Sequence, residues 1–423
     1  MSVKIDRFRG YEILDSRGRP TVMAKCYLND GTIGKASVPS GASTGKAESV
    51  ELRDGDSGRY GGLGCQKAVS HINQEINQAI AGQLFDQRTL DEALIRLDGT
   101  PNKGKLGANA ILACSLAFAK ASAIQQEIPL FQYFGRLLTA NTYRLPRLTV
   151  NLFSGGKHAG GQVPIQDLLI VPMSAISVEE ALSDLYKVYY SAADIIRKKY
   201  GMRTLTADEG GLAPAFKHID EMLETALESI EKAGFKPGKD IALAMDIASS
   251  HFYENGKYLI NDGQLGGQQQ IELLAGWVNK YPIVSLEDGL AEDDWSNWPH
   301  LNKQIGDKAL VLGDDLLCTQ TSRIQKAIDT QSANALLLKV NQCGSLTDAM
   351  EAFKLAKSAG WQVTVSARSG ETEDDWLADL AVGWSGDQIK VGSITQSERL
   401  AKYNRLLEIE KDHQEIRMEP WIF

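Results

Sequence analysis

The chain has 423 residues, 43% of them hydrophobic and 23% charged, with 54 acidic against 45 basic side chains and a formal net charge of −9. That length exceeds what one hydrophobic core ordinarily serves, so two domains are expected. The acidic balance argues against nucleic acid as the main partner, which would call for a basic face, while leaving room for a small anionic substrate held by a few convergent cations.

The N-terminus, Met-Ser-Val-Lys-Ile-Asp, carries an early charge and no apolar core segment, so no secretory signal is expected. No run approaches about 18 apolar residues, so no membrane partner is expected either. Lys4–Leu14 and Pro20–Leu28 read as two β-runs, and Asn29-Asp-Gly31 is the turn that follows them. Ser37–Gly45, with two glycines and a proline among small residues, is a flexible loop. Gly107–Ser122 is nearly all apolar or small and reads as a helix buried between domains. The style changes near Leu145, and strands and helices alternate from there, which is the β/α signature. Ser177-Val-Glu-Glu180 is a capping box opening a helix to about Lys199. Ser345 caps another helix, with Gly360 at its C-terminal end. The apolar tail Met418–Phe423 is expected to pack on the body or on another subunit. The five cysteines (Cys26, Cys65, Cys114, Cys318, Cys343) form no CxxC pair and read as free thiols in a reducing cytosol, which makes the expected location cytoplasmic.

Five apolar strands in the second half each end in a charge: Ile241–Asp246, Ile283–Glu287, Leu310–Asp314, Ala335–Lys339 and Val363–Arg368, with Gln388–Lys390 a weaker sixth. A charge at the end of a buried strand is costly unless it meets a metal, a partner or a ligand. The spacing predicts a β/α barrel with its site at the C-terminal ends of the strands. Asp246, Glu287 and Asp314 would repel one another without a counter-ion, and an all-oxygen set points to Mg²⁺. Lys339 ends an apolar strand, so burial and its neighbours Arg368 and Lys390 are expected to lower its pKa toward that of a general base. A salt bridge to one of the acids is the plain alternative. Thr206–Pro214 is a loop carrying Asp208 and Glu209, a carboxyl partner of unlike type for Lys339. Ser154–Gly161 is a glycine-flanked loop bringing Lys157 and His158. Metal, lysine base, carboxyl acid and cationic clamp together point to proton abstraction alpha to a carboxylate, followed by loss of a β-leaving group.

These residues resemble the enolase family over essentially the whole chain. The runs that carry the resemblance include Val38-Pro-Ser-Gly-Ala-Ser-Thr-Gly45, Leu106-Gly-Ala-Asn-Ala-Ile-Leu112, Asp208-Glu-Gly-Gly211, Lys339-Val-Asn-Gln342, Ser369-Gly-Glu-Thr-Glu-Asp374 and Ser397-Glu-Arg-Leu-Ala-Lys-Tyr-Asn404. The resemblance implies an α/β protein: a modified TIM-type β/α barrel at 139–423 under an N-terminal α+β cap at 1–138, assembled as a homodimer or larger. It implies dehydration of 2-phosphoglycerate to phosphoenolpyruvate with two Mg²⁺ per site. By that likeness Asp246, Glu287 and Asp314 hold the first metal and Ser43 closes over the second. Lys339 is the base, and Glu209 the acid that assists hydroxide departure. Lys390 holds the substrate carboxylate, while Arg368, Ser366 and His158 surround the phosphate and the closing loops, with Gln166 and Ser369 beside them.

The likeness has departures. Enolases usually carry Gln-Glu where this chain has Gln166-Asp167, and Ser-His-Arg-Ser where it has Ser366-Ala367-Arg368-Ser369. A small residue is usual where Lys157 stands, and Gly289 replaces a proline. The first two departures shrink side chains on the leaving-group side, where Asp167 would share the acid role. They leave open a specialised paralogue acting on a larger or more anionic analogue, such as a phosphonate or a compound with an extra carboxylate. Retention of Lys339, Glu209 and the three acids speaks against a non-catalytic binding protein.

Overall fold

The computed structural model describes residues 2–42, 44–140, 142–201, 205–260 and 263–421. Ser43 lies outside the described residues.

The N-terminal part is a four-stranded antiparallel sheet backed by helices. Val3–Leu14 and Pro20–Leu28 form the central hairpin, Ile33–Ser37 flanks the second strand, and Leu84–Phe85 pairs with the start of the first. Alternating burial along Pro20–Leu28 turns one face to the core. The helix Ala108–Gln125 lies on that face. It is long and apolar enough to cross a membrane, with a mean hydropathy of 1.2, but 83% of it is buried inside the protein. Its alanines let it approach closely: a Cβ on Gly34 would stand 2.2 Å from the Ala117 carbonyl oxygen and 2.3 Å from the Ala121 nitrogen. Glycine is therefore the residue that fits this crossing of helix and sheet.

The second part is a closed eight-stranded barrel. Its strands in order are Arg147–Ser154, Asp167–Pro172, Ile241–Asp246, Ile283–Glu287, Leu310–Gly313, Ala335–Leu338, Gln362–Ser366 and Gln388–Lys390, the last pairing with the first. Strict alternation fails once. The second strand runs antiparallel to both neighbours, and two helices, Val178–Tyr200 and Ile219–Lys232, follow it before the third strand. Asp167 therefore begins its strand where the others end theirs, and lies opposite Asp246 in register. The expected caps are in place. Ser177 Oγ accepts from Glu180 N at 3.0 Å, and Ser345 Oγ accepts from Asp348 N at 3.1 Å. Glu180 reaches back to the amide of Ile176 rather than to that of Ser177. Trp421 packs against two apolar clusters formed by barrel strands. Ile422 and Phe423 lie outside the described residues. All five cysteines are buried free thiols.

Candidate active site

The strand-end charges converge over the barrel. Lys390 Nζ donates to Asp246 Oδ2 at 2.9 Å and to Glu287 Oε2 at 2.7 Å, all three side chains being buried. Lys339 Nζ donates to Asp314 Oδ2 at 2.5 Å. Gln166 Nε2 donates to Asp246 Oδ2 at 3.1 Å, and Gln342 Nε2 to Asp314 Oδ1 at 2.8 Å. In this arrangement two ammonium groups neutralise the acids. Burial pushes the Asp246 carboxyl up, but Lys390 outweighs it and holds the carboxyl down at about 2. Burial and the charge of Asp246 push Glu287 well above the usual carboxylate range. Two acids sharing one ammonium cannot both stay ionised cheaply, so the cation that favours the charge on Asp246 leaves Glu287 raised.

Lys339 departs from the expectation of a lowered pKa. Burial pulls its ammonium down, yet Asp314 more than reverses this, and the group ends above the ordinary lysine value. The reason is distance: an ion pair at 2.5 Å outweighs both desolvation and the repulsion from Arg368 and Lys390. The salt-bridge alternative describes this state.

A second cluster lies around His158. His158 Nδ1 lies 2.8 Å from Asp167 Oδ2, and His158 Nε2 lies 3.9 Å from Glu209 Oε1. Ser154 Oγ donates to Asp167 Oδ1 at 2.5 Å, and Asn151 Nδ2 to Glu209 Oε2 at 3.1 Å. Burial pulls the His158 imidazole down, but Asp167 and Glu209 on its two sides raise it to about 9. Glu209 is pushed up by burial and drawn below the usual range by His158, Arg399 and the two lysines. Burial leaves Asp167 raised.

A cavity joins the two sides, lined by Ala42, His158, Gln166, Glu209, Asp246, Lys339, Ser366–Ser369 and Lys390. Asp167 lies behind His158 and does not line it. Lys157 is exposed on the turn next to His158 and makes no ion pair or side-chain hydrogen bond among the described residues. Its charge reaches His251, which burial and Lys157 hold down at about 4.

The donor set fits a hard cation. Glu287 Oε1 and Gln166 Oε1 are buried oxygens without a hydrogen-bond partner, beside Asp246 and near Asp314. Buried acceptors of that kind are rare unless an ion or water completes them. Two tighter groupings, each with ligand atoms within 4.8 Å of one another, are His158–Asp167–Glu209 and Asp288–Asp314–Asp315. In the second, Asp288 is committed to the amides of Asp314 (2.9 Å) and Asp315 (2.8 Å), so it fixes the strand end that presents Asp314. The first is held together by the histidine. Ammonium groups, by contrast, stand among the oxygens of Asp246, Glu287 and Asp314.

Residues 142–417 match the enolase C-terminal TIM barrel domain, and residues 5–134 match the enolase N-terminal domain. The chain belongs to the enolase family. Several residues that support the strand-end charges of this enolase-family lyase carry no strand-end charge themselves. Gln342 orients Asp314 and receives Thr319 Oγ1 at 2.8 Å, and that hydroxyl also accepts from Lys339 N at 3.0 Å. Arg399 is fully buried and donates to the carbonyls of Arg368 (2.7 Å) and Ser369 (2.5 Å), fixing the loop after the seventh strand. The runs Lys339–Gln342 and Ser397–Asn404 contain these residues, so their family pattern was the available signal. Periodicity alone would have placed Gln342 and Arg399 on ordinary helices.

Proposed function

We propose that this enolase-family lyase dehydrates 2-phosphoglycerate to phosphoenolpyruvate. The observation that carries the reading is that Lys339, paired with Asp314, and Glu209, with His158 beside it, line one cavity. A base on one side of a bound three-carbon acid and a proton source on the opposite side are what anti elimination of water requires.

Lys390 orients the substrate carboxylate, and Arg368 with Ser366 and Ser369 holds the phosphate. Asp246, Glu287 and Asp314 would hold Mg²⁺, and Ser43 a second ion. Bound there, the metal supplies positive charge for the negative charge that develops on the carboxylate. Lys339 serves as base once the charge of Asp314 is engaged by something other than its ammonium, and takes the C2 proton. The C3–O bond breaks, the C2=C3 bond forms, and the departing hydroxide leaves as water with a proton that His158 supplies through Glu209. Asp167 and Ser154 hold His158 in orientation. The proposal includes domains at 1–138 and 139–423, a homo-oligomer, and a cytoplasmic enzyme.

A second reading, a paralogue for a larger or more anionic analogue, is favoured by Ala367, whose small side chain lines the cavity beside Arg368. One assay separates them: phosphoenolpyruvate formation from 2-phosphoglycerate with Mg²⁺ and with EDTA, for the native enzyme and for Asp167→Glu with Ala367→His. Mg²⁺-dependent turnover of order 10–10² s⁻¹ by the native enzyme supports the first reading. Weak native turnover that the double change raises roughly 10²-fold supports the second. No turnover by either contradicts both.

A further inference from the structure

The guanidinium of Arg368 faces the cavity but is not waiting for a ligand. Its Nη1 donates to Glu48 Oε2 at 3.0 Å and to Asn341 Oδ1 at 3.0 Å, and its Nη2 donates to Glu48 Oε1 at 3.2 Å. Both side chains are buried, at 4% and 8% exposure. A two-pronged pairing of this type is the geometry in which arginine also grips a phosphate. Glu48 belongs to the other part of the molecule, on the segment between Ser40 and Ser49. The ends of that segment are tied by main-chain bonds to distant loops: Ser40 exchanges hydrogen bonds with Gly370, and Ser49 N donates to the Gln342 carbonyl at 2.8 Å. Between those ties the turn is held to the barrel through side chains. Ala42 N donates to Ser369 Oγ at 2.7 Å, Lys46 N donates to Glu292 Oε2 at 2.9 Å, and Glu48 grips Arg368. Glu48 Oε1 also accepts from Gly45 N at 3.0 Å, so the carboxylate that holds Arg368 shapes the turn as well.

Glu48 also lines a second cavity, together with Glu51, Arg53, Asn109 and Asn341. It gives the Glu48 side chain space to leave Arg368, with Arg53 also in its lining.

We propose that Glu48 is an internal stand-in for the substrate's phosphate on Arg368. An arriving phosphate displaces it toward Arg53, and the exchange couples the turn at Thr44–Glu48 to occupancy of the site. The proposal rests on the assignment of Arg368 to the phosphate made above. It makes Glu48 a positioning residue: its carboxylate competes with the ligand and so sets affinity rather than the chemical step.

The test uses Mg²⁺-loaded full-length enzyme and inorganic phosphate as probe. Glu48→Gln keeps the oxygen that accepts from Gly45 N and removes the charge, so phosphate should bind roughly tenfold more tightly, with KM for 2-phosphoglycerate falling and kcat changing less. In the native enzyme, phosphate should alter amide hydrogen exchange at Thr44–Glu48, and in Glu48→Gln those amides should already exchange as in the phosphate-bound state. Glu48→Ala should move affinity the same way. Phosphate affinity within twofold of native in both variants, or native exchange at Thr44–Glu48 indifferent to phosphate, overturns the proposal. Arg368→Met separates the two layers. If it binds phosphate as the native enzyme does, the phosphate assignment fails and the exchange with it. If it loses phosphate while the Glu48 variants gain nothing, only the exchange is overturned.

Discussion

Replacing Lys390 by methionine isolates the electrostatics on which the site depends. The ammonium sits 2.9 Å from Asp246 and 2.7 Å from Glu287, with all three groups buried. At an effective dielectric of about 20, the contact with Asp246 alone is roughly 6 kcal/mol of gross attraction, most of it offset by desolvation. Methionine fills a similar volume, so packing changes little, but the two acids are left facing each other without a cation. Removing one partner of a buried ionic group costs about 3–5 kcal/mol. In EDTA at pH 8, urea unfolding of Lys390→Met should show a loss of that size. A divalent cation shared by Asp246, Glu287 and Asp314 would take over the neutralising role. Millimolar Mg²⁺ should therefore recover most of the loss, and should raise the stability of the variant more than that of the native enzyme, since a ligand that binds only the folded state stabilises it by mass action. A variant as stable as native in EDTA, or a deficit that Mg²⁺ leaves unchanged, would refute the claim that these acids form one charge-coupled cation site.

Two further outcomes test the fold around the site. Gly34→Ala puts a methyl 2.2 Å from a main-chain oxygen of the helix Ala108–Gln125. The helix must shift off the sheet, and the thermal midpoint should fall by an amount equivalent to about 1–3 kcal/mol or more. Asp91 is wholly buried, and burial raises its carboxyl from 3.8 to about 6. Its folded pKa lies above its unfolded one, so the charged form costs stability above about pH 6, and that cost is relieved as pH falls toward 4. Relative to Asp91→Asn, the native protein should gain up to about 3 kcal/mol between those limits. A flat difference between the two across that range in denaturant unfolding would contradict this.

Much of the barrel is readable because its strands are buried on both faces and end in charges. The strands ending at Asp246 and Glu287 fall where apolar runs meet acids, and the one before Lys339 stops a single residue short. The antiparallel second strand escaped that logic, because Asp167 begins its strand and so offers no strand-end charge. The ionisation of Lys339 was also beyond the sequence: burial and a close acid pull in opposite directions, and only the 2.5 Å separation from Asp314 decides between them. Glu48 and Arg368 stand 320 residues apart in the chain, and no local pattern announces that a carboxylate from the cap occupies an arginine of the barrel. The cap hairpin, by contrast, follows from alternation and from the Asn29–Gly31 turn, which are local properties.

The central assignment is Lys339 as the group that removes the C2 proton, and exchange of that hydrogen with solvent tests it apart from elimination. In D₂O with Mg²⁺ and 2-phosphoglycerate, Glu209→Gln should still exchange C2–H for deuterium while forming little phosphoenolpyruvate, and Lys339→Met should do neither. Exchange surviving in Lys339→Met at the rate seen in Glu209→Gln would place the base elsewhere.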